Sequence, residues 1–168
     1  EQVNYHEVFD ASYAWSWMHT TEKIAQGQEG VNELYNICHN YTQYPKNAYK
    51  LFFTSNHDEN SWNGTIEEKY GDHWQVFSVL NYTLQNSLPL IYNGEEANNT
   101  KRLQFFEKDP ITSWADTSRY TWYRKMNHLK HTHPALQNSP WGPKEMVLPV
   151  SGGNENIFAF KRSKFGQS

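Results

Sequence analysis

The stretch from Leu51 to Asn60, Leu-Phe-Phe-Thr-Ser-Asn-His-Asp-Glu-Asn, does most to limit what this chain folds into. A short apolar run ends abruptly in Asn56, His57 and Asp58, three polar groups of different chemistry. Buried strands deliver reactive groups in this way to the mouth of a barrel or a sheet. One helix-length segment later, Leu88-Pro89-Leu90-Ile91-Tyr92-Asn93 runs into Gly94-Glu95-Glu96. Two apolar strands with acidic tips, separated by a helix, imply adjacent parallel strands opening on one site.

The rest of the chain fits that alternation. Phe9 to Tyr13 reads as a short strand with Asp10 inside it. Ala14, Trp17, Met18, Thr21 and Ala25 follow at helical spacing and stop before Gly27. Leu34, Ile37, Cys38 and Tyr41 mark an amphipathic helix closed by Pro45. Leu51 to Ser55 is the next strand. Asn60 to Gly71, polar and glycine-containing, reads as a loop above it. Asp72 is placed to cap a helix that turns Trp74, Phe77, Leu80 and Leu84 inward. Leu88 to Tyr92 is the third strand. Ala97 to Trp114 has no clean period and reads as a functional excursion. A last helix starts at Thr117 or Ser118, carries Tyr120, Tyr123, Met126, Asn127 and His131, and stops at Pro134. Gln137 to Lys144 has linker composition. Val147–Val150 and Ile157–Phe160 flank Ser151-Gly152-Gly153-Asn154 as a hairpin would, with Pro149 suited to an edge. The expected class is α/β with a parallel sheet, followed by the start of an antiparallel unit.

With 168 residues the chain is long enough for one domain with a core. Its net charge of −3 predicts no strong attraction to nucleic acid or anionic membranes. No apolar run approaches the roughly 20 residues that cross a bilayer, so no membrane span is expected. No charged-then-apolar leader opens the sequence. Cys38 is the one cysteine, which rules out an internal disulfide and suits a small buried thiol. Aromatic residues reach 16%, and such rings either fill a core or stack on the apolar faces of sugars. Trp15, Trp17, Trp62 and Trp114 are the candidate stacking surfaces, with core packing preferred for Trp17.

Asn56-His57-Asp58 admits two main readings. At the C-terminal end of a strand, a carboxylate stabilises developing positive charge and an imidazole donates to a hydroxyl. Alternatively, Asn and Asp form a turn for local reasons. A metal site is a weaker reading, since adjacent His and Asp do not point at one ion and no His-Glu-x-x-His occurs. Of Glu95 and Glu96, one faces a polar site or both are surface residues. His128, His131 and His133 read as exposed residues near a helix end. No nucleophile elbow, phosphate loop or dinucleotide fingerprint is present.

Four stretches carry a family resemblance. Phe53-Thr54-Ser55-Asn56-His57-Asp58 resembles the fourth conserved region of the α-amylase family of glycoside hydrolases, at the end of its seventh barrel strand. Leu88 to Glu96 resembles the eighth strand, with its Pro-x-Ile-Tyr-x-Gly-x-Glu core. Leu129-Lys130-x-x-His133-Pro134-Ala135-Leu136 is similar to the end of the last barrel helix, and Ile157 to Arg162 to an early strand of the C-terminal β-domain. The resemblance implies that residues 1–139 are the C-terminal part of a (β/α)8 TIM barrel, strands six to eight with their helices, and that 140–168 open the β-sandwich domain.

It also implies roles. Asp58 would bind sugar hydroxyls and stabilise an oxocarbenium-like transition state. His57 would hydrogen-bond the sugar at the cleaved bond, Asn56 would position the pair, and Tyr92 and Glu95 would contact substrate. A retaining glycosidase also needs a nucleophile and an acid/base carboxylate roughly 5 Å apart. In the family these stand on earlier strands, and nothing here resembles the Arg-x-Asp nucleophile motif. Glu1 stands near the expected acid but slightly too close to Asp10, so the acid is expected just upstream. The chain is thus expected to be a fragment, inactive alone, that lacks the N-terminal part of its barrel. Its parent would act on α-glucans or maltooligosaccharides. The alternatives are a non-catalytic carbohydrate-binding domain and a transporter-associated, amylase-like subunit. Family members often bind calcium through ligands that lie mainly upstream, so no metal or other cofactor is expected in this chain. A polysaccharide substrate favours a periplasmic or secreted location.

Overall fold

The computed structural model describes residues 3–144, 146–148, 150 and 156–168. Three parallel strands form its centre: β1 (Ala11–Tyr13), β2 (Tyr49–Phe52) and β3 (Ser87–Pro89), side by side in that order. Between β1 and β2 run helices α1 (Trp15–Ala25) and α2 (Glu33–Tyr41). Between β2 and β3 lie α3 (Ile66–Tyr70) and α4 (Trp74–Thr83). After β3 an irregular excursion leads to α5 (Ser118–Thr132), which a 3-10 turn at Pro134–Leu136 ends. Strands β4 (Met146–Val147) and β5 (Phe160–Lys161) pair antiparallel. Pro149 and the turn expected at Ser151 to Asn154 lie outside the described residues, as does Glu1.

The strands are shorter than the apolar runs suggest. β2 begins at Tyr49 and leaves the ladder after Phe52, rather than spanning Leu51 to Ser55. β3 covers Ser87–Pro89 rather than Leu88 to Tyr92, and β1 starts at Ala11, after a 3-10 turn at Val3–Glu7. Register explains the difference at β2. Lys50 stands between Ser12 and Ser87, and its ammonium is held by the Ser12 hydroxyl at 2.9 Å and by the Tyr44 ring at 3.5 Å. A cation so accommodated occupies a buried strand position that an apolar run does not announce.

Alternation along β2 sends Phe52 toward the helices, where it meets Trp17, Leu34, Ile37, Cys38 and Leu84 in the main core. Trp17 is fully buried and donates through Nε1 to Asn81 Oδ1 at 2.7 Å, so its ring packs the core and its polar atom is satisfied. Tyr13, Leu51 and Leu88 share one register on the opposite face, and none of them is fully buried. The sheet therefore has a face covered by helices and a face bearing a partly open apolar row.

The segment 60–71, expected as a loop, is mostly helical. A π-helical turn at Glu59–Asn63 is followed by α3. Thr65 and Glu68 form a capping box: the Glu68 amide donates to the Thr65 hydroxyl, and the Glu68 carboxylate accepts from the Thr65 amide at 2.7 Å. Asp72 makes no cap to α4; it sits in a 3-10 turn, Gly71–His73, and His73 takes the cap position without a side-chain bond.

The C-terminal hairpin is tied to the sheet unit through Arg162. This buried guanidinium donates to the carbonyls of Thr83, Leu84, Gln137 and Pro143 over 2.7–3.2 Å. It thereby satisfies the carbonyls that α4 leaves open at its end. Phe158 and Phe160 pack against the main core, and Tyr35 on α2 hydrogen-bonds the Ile157 carbonyl.

Candidate functional site

Beyond β2 the chain stays buried through Phe53, Thr54, Ser55 and Asn56, then emerges at His57. Asn56 is 1% exposed, and its Oδ1 accepts the Glu59 amide at 2.8 Å. The side chain thus starts the turn that follows, as a capping residue does. In that turn the Gly64 amide donates to the Glu59 carbonyl at 2.9 Å, and Gly64 has φ of 138°. This wide turn lifts His57 and Asp58 to the surface while the next residue, Glu59, turns inward.

His57 and Asp58 keep exposed side chains, at 56% and 40%. His57 Nε2 lies 3.5 Å from Asp58 Oδ1, beyond a strong hydrogen bond, so both retain capacity for a ligand. Beneath them Glu59 accepts from Lys69 at 3.1 Å and from Asn63 Nδ2 at 2.9 Å, and the ion pair is buried almost completely. Lys69 belongs to α3, so the helix missed in the sequence secures the turn that presents Asp58. The Thr65-x-x-Glu68 pattern was the available signal for that helix.

The tip of the third strand is built differently. Gly94 adopts φ of 94°, a conformation that favours glycine, and a Cβ there would also displace the end of the Ile111 side chain, 2.8 Å away at Cδ1. Glu95 is buried under this turn. Its Oε2 accepts the Tyr92 amide at 3.2 Å and the Tyr123 hydroxyl at 3.3 Å. Burial pushes the Glu95 carboxyl up to about 8, against the opposing pull of those hydrogen bonds and of the Arg119 and Lys69 charges. Glu96 Oε2 accepts the Gly94 amide at 3.0 Å. Tyr92 is half-buried. Glu95 therefore braces the turn from below rather than presenting its carboxylate at the surface beside Asp58.

The excursion from 98 to 117 is pinned to the site. Asn60, itself buried, donates to the Lys101 carbonyl at 3.2 Å and accepts the Leu103 amide at 2.8 Å. Arg102 forms a two-pronged ion pair with Glu68 at 2.8 and 3.0 Å, which holds the Glu68 carboxyl down at about 2. Phe105 stacks on His57, with ring centroids 5.8 Å apart, and also contacts Trp62. Phe105 and Phe106 escaped notice in the sequence because only the fold sets them beside Trp62. Trp114 is exposed, and Trp15 stacks with Tyr13 and His19.

His128 and His131 are exposed, and His133 is half-buried, where its Nδ1 accepts the Ala135 amide. No group of three His, Cys, Asp or Glu side chains among the described residues is arranged to hold a metal ion. Among them, no helix is long and apolar enough to cross a membrane.

No family model matches the chain. It is 24% identical over 168 residues to a Beta/alpha-amylase of Paenibacillus polymyxa, spanning 97% of this chain and 14% of that protein. Among solved structures it resembles a maltogenic α-amylase of Thermotoga neapolitana with a TM-score of 0.77 at 16% identity, covering 95% of this chain and 36% of that one. An α-amylase of Lactobacillus plantarum gives 0.75 at 18% identity, over 98% of this chain and 36% of its own. The α-amylase of H. orenii gives 0.71 at 17%, over 97% and 38%. The chain thus spans about a third of the solved structures and a seventh of the curated relative that it matches. Over that stretch it has the fold of the α-amylase family, and the likeness read from four sequence segments extends to three dimensions.

Proposed function

We propose that this chain is part of the catalytic region of an α-amylase-type glycoside hydrolase acting on α-glucans or maltooligosaccharides by a retaining mechanism. Residues 1–139 supply the last three strands of a (β/α)8 barrel, and 140–168 open an antiparallel β-domain. The observation that carries this reading is the position of Asn56-His57-Asp58. They follow the middle strand of a parallel sheet, and Asp58 emerges half-exposed over a buried, ion-paired base. The apolar row of Tyr13, Leu51 and Leu88 supports the barrel, since such a face suits burial against further strands.

In this reading Asp58 accepts hydrogen bonds from ring hydroxyls of the sugar at the cleaved bond. Its negative charge stabilises the oxocarbenium-like transition state more than the neutral substrate, which is the condition for lowering a barrier. His57 donates to a hydroxyl of the same sugar. Asn56 is a positioning residue that acts through the turn it starts. Tyr92 borders the sugar, and Glu95 acts through the backbone of Tyr92. The nucleophile and the general acid come from another stretch of a longer protein.

The test is Asp58→Asn in the full-length protein, measured on maltooligosaccharides. Losing a transition-state charge interaction lowers kcat by about 10²–10³, with a smaller change in KM. A kcat within about threefold of the parent enzyme would overturn the assignment.

A further inference from the structure

Several large aromatic side chains are exposed, and among the described residues three of them, Trp62, Phe105 and Phe106, lie in mutual contact. Trp62 is 59% exposed, Phe106 82% and Phe105 37%. Their ring centroids lie 5.5 Å apart for Trp62 and Phe105, 6.3 Å for Trp62 and Phe106, and 4.8 Å for Phe105 and Phe106. The group runs directly into the candidate site, because Phe105 also stacks on His57. Water-facing rings held together in this way mark a recognition surface.

The rings are fixed in place before any ligand arrives. Lys101 pairs with Asp109, whose other oxygen accepts the Gln104 amide at 3.0 Å, so the loop bearing both phenylalanines is closed on itself. Asn60 and Glu68 fasten its near end to the π turn and to α3. A loop ordered beforehand loses little freedom on binding.

Three rings fall far short of the ~800 Å² per side that a stable protein interface buries. They do match a chain of pyranose rings, whose C–H faces are apolar and whose edges carry hydroxyls for groups such as His57. We propose that Trp62, Phe105 and Phe106 form a platform that binds the α-glucan chain beyond the sugar at His57 and Asp58. It thereby makes the site prefer long chains over short ones. This rests on the glucan-processing reading of that site.

The test uses the full-length protein with Trp62→Ala, Phe106→Ala and Phe106→Leu, the last removing the ring while keeping apolar bulk. kcat/KM is measured on maltotriose and on maltoheptaose, alongside thermal melts. The platform requires kcat/KM on maltoheptaose to fall about tenfold or more while maltotriose stays within about twofold, with unchanged melting and with rescue in Phe106→Trp. A parent enzyme active on both substrates, whose correctly folded variants keep its chain-length preference, overturns the platform alone. A parent enzyme without activity on any α-glucan overturns the reading of the site itself, and the platform with it.

Discussion

Replacing Lys69 with Met should destabilise the protein severely, although Met nearly matches the lysine stem in length. Lys69 and Glu59 are 1% and 2% exposed and lie 3.1 Å apart. The substitution leaves a buried carboxylate whose remaining side-chain donor is Asn63 Nδ2 at 2.9 Å. Breaking such a pair from one side costs about 3–5 kcal/mol, because the other charge stays desolvated and uncompensated. Removing both charges with Glu59→Gln and Lys69→Met keeps an acceptor for Asn63 and should recover most of the loss, to within about 1–2 kcal/mol of the parent. Lys23→Met is the control. Its pair with Glu29 is solvent-exposed on both sides, at 52% and 29%, so losing it should leave the urea midpoint almost unchanged. The assay is urea unfolding followed by tryptophan fluorescence, for which buried Trp17 is a reporter. A Lys69→Met loss under about 1 kcal/mol, or a double variant as unstable as the single one, would refute the reasoning.

Two further outcomes are expected. Glu95 holds its proton far more tightly in the fold than in an unfolded chain, with its carboxyl pushed up to about 8. The stability this contributes is complete below 4.5, declines as pH rises from there and is gone above about 8, so Glu95→Gln should flatten the fall in urea midpoint between those pH values, and an unchanged slope would contradict the assignment. On the proposed reading, residues 1–168 alone should show no retaining hydrolysis of soluble starch, and anomer-resolved product formation by this chain would show that a nucleophile and an acid are supplied within it.

Helices α1, α2 and α5 were legible because their apolar residues recur at helical spacing and turn-forming residues stop them. The polar tips of two strands were legible as well, and they lie where a parallel sheet delivers them. Strand limits were not. Lys50 belongs to the ladder because two tyrosine rings and a serine accept its charge, a long-range circumstance. Conversely, Phe53, Thr54 and Ser55 are buried without being paired as strand. Segment 60–71 looked like a loop because its charges suggested solvent, yet Lys69 is buried against Glu59. Glu95 was expected to touch substrate, and its burial depends on Tyr123, which lies 28 positions further along the chain.

Arg162 has a consequence for how the two parts of the molecule move. Its guanidinium grips the end of α4 and both shoulders of the linker at once. The passage between sheet and hairpin is therefore a weld rather than a swivel. Shortening the gene at this seam would not free a self-sufficient sheet unit. It would strip the plug from a helix whose opposite side lines the principal core, and the damage would spread from the cut toward the strands.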